Sequence, residues 1–151
     1  MKKKVAEFTL IAIYIFVSSY FLNFVWESFH AVLLYEHHDF DAKKYVFMVS
    51  YVSAVDGALI FGICLLISFL WKDVFWLRKM NRKHAYTSFV IGLVVAAIIE
   101  YIRVFILKTW SYNPIMPTIF GIGLSPLLQL SLTGLIAFWL THRILCHFND
   151  N

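Results

Sequence analysis

Four long apolar runs, at 8–35, 45–71, 85–107 and 118–140, alternate along the chain with short polar segments at 36–44, 72–84 and 108–117. Each run meets the roughly 20 residues that a helix needs to cross a hydrocarbon core. The first two exceed that length, so they tilt or protrude. The pattern predicts an all-α fold: an integral membrane four-helix bundle whose residues 1–151 form a single four-span domain. No internal repeat, low-complexity tract or linker divides it.

Polar residues interrupt the apolar runs at helical spacing. Tyr20, Asn23, Glu27 and His30 recur at intervals of three, four and three, which places them on one face of span one. Span two carries Ser53 and Asp56, span three Glu100 and Arg103, and span four Ser125 and Gln129, each pair sharing a face. Small residues four apart, Gly92 with Ala96 and Gly121 with Ser125, predict close helix approach in spans three and four.

Composition strengthens the membrane reading. Hydrophobic residues make up 61% of the chain and charged residues 15%, against about 25% charged in a soluble domain. A soluble fold has nowhere to bury so much apolar surface. The net charge of +4 would suit a nucleic-acid partner, but the basic residues sit in short patches beside apolar runs, so no nucleic-acid binding is expected. Cys64 and Cys146 lie at different depths and form no disulfide framework. Lys2, Lys3 and Lys4 before an apolar run imitate a secretory signal; with no small-x-small cleavage site, the run reads as a retained first span.

Charge also sets the expected orientation. The three lysines before span one, and Lys72, Arg78, Lys79, Arg82 and Lys83 between spans two and three, outweigh Lys43, Lys44 and Lys108 on the alternate side. The positive-inside rule therefore predicts a multi-pass protein of a cell membrane with both termini cytoplasmic, N-in and C-in. In that orientation the polar positions of all four spans gather in the outer half of the bilayer.

An acid or arginine at the centre of a membrane helix costs roughly 2.5–3.5 kcal/mol on insertion scales, and such residues usually mark function. The expectation is an intramembrane cavity lined by Asn23, Glu27, His30, Asp56, Glu100, Arg103 and Gln129. Glu27, Asp56 and Glu100 are its candidate catalytic acids, because a protonated carboxyl in an apolar, aromatic pocket can donate a proton. Asn23, His30, Arg103 and Gln129, with Trp110, Tyr112 and Asn113 of the 108–117 segment, are the candidate substrate contacts. That segment reads either as an interfacial anchor or as a lid over the cavity. A competing, purely structural reading makes Glu100 and Arg103 a buried pair that fixes packing, with Glu27 and His30 reaching the interface. Glu36, His37, His38, Asp39 and Asp41 read as a solvated polar turn rather than a metal site. No phosphate loop, dinucleotide fingerprint, zinc-protease motif or nucleophile elbow appears, so neither metal nor cofactor is expected.

Trp110-Ser111-Tyr112-Asn113-Pro114, followed by Gly121, Gly123, Leu124 and Pro126-Leu127-Leu128-Gln129, locally resembles the small membrane-embedded lycopene cyclase domains. Those domains carry paired acids where this chain has Leu128 and Gln129. A wider set, namely Trp26-Glu27, Asp56-Gly57, Glu100-Tyr101, Met116-Pro117 and Ser125 to Gln129, resembles a recurrent group of small bacterial four-span proteins. That likeness points to a bacterial inner membrane and implies no activity.

Three function classes compete. The first is an acid–base enzyme, of isomerase, hydratase or cyclase type, acting on an isoprenoid or other apolar lipid. The second is a membrane protein that binds a lipid or apolar small molecule without catalysis. The third is a proton-coupled transporter, for which four spans suffice only in a homo-oligomer.

Overall fold

The computed structural model of the chain describes residues 2–35 and 41–149. Its elements are α1 (Lys2–Leu33), α2 (Ala42–Trp71), a 3-10 turn (Trp76–Lys79), α3 (Arg82–Tyr101) with a π-helical extension (Ile102–Ile106), a hairpin of β1 (Thr118–Ile119) and β2 (Ile122–Gly123), and α4 (Leu124–Asn149). All four helices are long and apolar enough to cross a membrane, and the chain is a multi-pass membrane protein of the four-helix-bundle class.

Local chemistry sets the helix ends. Asp41 caps α2 by accepting the Lys44 N–H at 2.9 Å. At the other end Lys72 turns left-handed, at φ 53°, and its N–H caps the Phe69 carbonyl. Asn81 caps α3 through the Lys83 and His84 N–H groups, and its own N–H meets His84 Nδ1 in a capping box. This cap starts α3 at Arg82, a turn before the apolar run begins. The 36–40 part of the expected solvated turn lies outside the described residues.

The fourth span differs from expectation. The apolar stretch from Thr118 to Gly123 is a hairpin rather than helix, and α4 begins at Leu124. Phe120 and Gly121 both adopt positive φ, 51° and 78°, the conformation of a tight hairpin turn. Pro126 then falls in the first turn of α4, where its missing N–H costs nothing. Gly121 therefore makes no helix contact with Ser125; it turns against the Phe105 ring. Gly92 does mediate a close approach, since a Cβ there would stand 2.8 Å from the Ser131 Cα of α4. Ser131 uses the proximity to donate its hydroxyl to the Phe89 carbonyl at 3.0 Å.

Polarity in the bundle is reversed from that of a soluble protein. Phe21, Val25, Phe29, Phe47 and Phe69 face outward, while Ser19, Asn23, Glu27, His30, Glu100 and Gln129 are buried. Helices surrounded by hydrocarbon gain nothing by burying leucine, so polar contacts move inside. The half of the bundle nearer the termini is a dry core of Ile11, Ile15, Ile60, Ile67 and Phe138, closed by Trp76 and Leu77 from the connection between α2 and α3. His142 bonds the Leu77 carbonyl at 2.7 Å, and Arg78 pairs with Glu7, so both termini share an end with that connection. The buried carboxyl and carboxamide side chains occupy the opposite half.

Candidate functional site

Asn23 and Glu27 on α1, Asp56 on α2 and Gln129 on α4 converge on one amide nitrogen. Gln129 Nε2 lies 2.7 Å from Glu27 Oε1, 3.1 Å from Asp56 Oδ2 and 3.1 Å from Asn23 Oδ1. With two protons for three acceptors, it is a shared donor. Thr133, one turn along α4, also reaches Asn23 Oδ1 at 3.2 Å, while Asn23 Nδ2 donates to the Ser19 carbonyl at 2.8 Å. These bonds tie α1, α2 and α4 together where hydrocarbon would otherwise surround unpaired polar groups.

Beside this hub lies a cavity of about 240 Å³, lined on its polar side by Glu27, His30, Asp56, Glu100 and Gln129. Met48, Val52, Leu59, Ala96 and Ile99 form its apolar walls, and Tyr35 and Trp110 supply aromatic faces. His30 is buried, with neither ring nitrogen hydrogen-bonded; its Nδ1 stands 3.7 Å from Glu27 Oε1. Its ring packs on Tyr35 at 4.8 Å between centroids.

Glu100 reaches the cavity from α3 and accepts the Tyr112 hydroxyl. Tyr112 is held in place by main-chain pairing: Tyr35 and Tyr112 form an antiparallel bridge, and the Asn113 N–H donates to the Leu34 carbonyl at 2.9 Å. Tyr35 packs against both Trp110 and Tyr112, at 5.8 and 5.5 Å. Burial pushes the Tyr35 and Tyr112 phenols above the ordinary tyrosine range, and the nearby Glu100 acts in the same direction. Both hydroxyls therefore stay protonated, and Tyr112 remains a donor to Glu100. The 108–117 segment thus covers the cavity end of the bundle, with Trp110 facing in.

Several expected contacts stand elsewhere. Arg103 does not line the cavity: it is exposed and lies over the Trp110 ring at 5.4 Å, outside the aromatic cover. The backbone between Glu100 and Arg103 keeps ordinary α-helical torsions, and the π-type bond from the Leu107 N–H to the Ile102 carbonyl closes beyond it, so it is the Arg103 side chain that extends away from the cavity to the Trp110 ring. A buried Glu100–Arg103 pair is thereby removed from consideration. Asn113 shapes the chain instead of facing the cavity, its Oδ1 accepting the Ile115 N–H at 3.2 Å. Asn23 supports Gln129 from behind the cavity wall, and Tyr20 leaves the buried stripe to Ser19 and packs on Phe21 and Phe24. Ser53 bonds the Val49 carbonyl of its own helix, and Ser125 lies on the α1–α4 surface.

Tyr35 and Thr133 were not singled out by the sequence pattern. Thr133 was legible as the residue one turn beyond Gln129; Tyr35 sits at a span end, where tyrosine ordinarily signifies the interface. Among the described residues no cluster of His, Cys, Asp and Glu has the arrangement of a metal site. Comparison with family models, curated proteins and solved structures finds no match.

Proposed function

We propose that the protein is a membrane-embedded acid–base catalyst that rearranges an isoprenoid or other apolar lipid. One observation carries this reading. Glu27 and Asp56 share a single amide donor and Glu100 lines the same cavity, yet among the described residues no Lys or Arg is ion-paired with any of them. Crowded acids with no lysine or arginine among them share protons with one another and with the neighbouring His30, and shared protons are available for transfer.

The chemistry needs no co-reactant. A carboxylic acid gives its proton to one carbon of a double bond, leaving a cation that the Tyr35 and Trp110 faces stabilise. A second carboxylate then removes a proton from a neighbouring carbon, which completes an isomerisation or ring closure. The local likeness to lycopene cyclase domains around Trp110–Pro114 supports the same class of chemistry, with the acids supplied here from α1, α2 and α3.

Replacing Glu27, Asp56 and Glu100 singly with the amide tests this. Mass spectrometry of extractable host lipids should show the product reduced at least about 100-fold for the residue that transfers the proton, with protein abundance unchanged. Unchanged lipids with loss of a co-purifying molecule would replace catalysis by simple binding. Uptake into proteoliposomes that collapses with the proton gradient would replace it by transport.

The lysine and arginine bias supports placing the termini and the 72–81 connection in the cytoplasm, with the cavity in the outer half of a cell membrane. In a background lacking Cys64 and Cys146, a membrane-impermeant maleimide applied to intact cells should label Lys108→Cys and spare Lys79→Cys. The reverse pattern would invert the topology.

A further inference from the structure

The cavity is too small for the substrate the site implies. At about 240 Å³ it falls below the roughly 300–1,000 Å³ of pockets that enclose a whole small molecule. A long-chain lipid can place only its reacting end there, so its tail must leave between helices.

Two apolar grooves reach the cavity's edge. The α1–α4 groove shares only His30 with it, and the bonds from Gln129 and Thr133 to Asn23 and from Gln129 to Glu27 close that wall. The α2–α3 seam is more loosely packed than the other sides of the bundle, and no hydrogen bond crosses it among the described residues. A groove of about 400 Å³ runs along it, lined by Val55, Leu59, Gly62, Ile63, Leu66 and Val95. Leu59 belongs to both the groove and the cavity, while Val55 and Val95 adjoin Asp56 and Ala96 of the cavity wall. From Val55 to Leu66 the groove follows about 16 Å of helix axis, toward the half of the bundle nearer the termini.

We propose that the α2–α3 groove is the tail channel of this site, holding the hydrocarbon chain of a single-tailed lipid whose reacting end lies beside Asp56 and Glu100. The proposal rests on reading the cavity as a lipid site and adds the substrate class: one long, flexible apolar tail, entering sideways from the bilayer. Gly62 sits on this channel, and a Cβ there meets no atom within 4 Å. A larger side chain at that position blocks the groove without displacing the fold.

Hexadecanol carrying a photoactivatable diazirine at its chain end, added to the full-length protein in lipid nanodiscs, tests the channel by peptide mapping of the crosslinks. Crosslinks should concentrate on Ile63 and Leu66, at the end of the groove away from the cavity, and Gly62→Phe should reduce them at least tenfold with the melting temperature held at or above that of the parent chain. Labelling spread evenly over the outward faces of all four helices, or unaffected by Gly62→Phe, overturns the channel while leaving the acid–base reading to its own lipid assay. A Gly62→Phe protein that loses an oligomeric state makes the groove a contact between copies and likewise overturns it. If the amide variants leave host lipids unchanged but Gly62→Phe still removes the crosslinks, the channel stands and catalysis fails.

Discussion

Gln129→Leu is expected to cost about 2–4 kcal/mol of stability, because one substitution takes the shared donor from Glu27 and Asp56 and leaves Asn23 Oδ1 with Thr133 alone. Single hydrogen bonds between membrane helices average only about 0.6 kcal/mol, with the strongest near 1.7. The larger figure arises because the Glu27 and Asp56 carboxyls lose their shared donor together, Asn23 keeps only Thr133, and leucine offers none of them a proton. Denaturant unfolding in detergent micelles should show the loss, accompanied by weaker retention of any co-purifying lipid. A Gln129→Leu protein as stable as its parent would mean that the acids are satisfied by other groups.

Gly92→Val is expected to be at least as damaging, by about 3 kcal/mol or more. A Cβ at this position would lie 2.8 Å from both Cα and Oγ of Ser131 and 3.2 Å from its backbone nitrogen. Most of that obstacle is backbone, so no rotamer change relieves it and α3 must move away from α4. Separation also breaks the bond from Ser131 to the Phe89 carbonyl and carries Glu100 away from Gln129 across the cavity. Ser131→Gly in the same chain should restore only part of the loss, since it removes the hydroxyl and leaves the main chain. Thermal unfolding of the single and double variants decides this, and full rescue would show that the side chain alone was in the way.

Much of this architecture is legible in the sequence because the membrane makes the rules simple. Helix number and the burial of Asn23, Glu27, His30, Glu100 and Gln129 follow from run length and from the cost of exposing polar groups to lipid. The failures occur where hydropathy is silent. Thr118 to Gly123 is as apolar as helix, and only the left-handed Phe120–Gly121 pair distinguishes a hairpin. Arg103 follows Glu100 by three residues of regular helix, but its long side chain leaves the cavity for the Trp110 ring, a contact that spacing alone does not encode. The role of Tyr35 depends on its bridge to Tyr112, a contact across about half the length of the chain that no local pattern encodes. Trp76 and Leu77 plug the core from a short charged connection, where no apolar periodicity marks them as buried.

These placements give the two halves of the bundle separate tasks. The dry half, closed by Trp76, holds the helices together by packing, and the polar half concentrates its acids around a space that the aromatic residues cover. The proposed chemistry depends on Asp56 and Gln129 meeting across α2 and α4. A double-mutant cycle of Asp56→Ala and Gln129→Ala, read by reversible unfolding, measures that meeting directly. A coupling energy above about 0.5 kcal/mol is predicted for residues in contact, and two independently additive losses would contradict it.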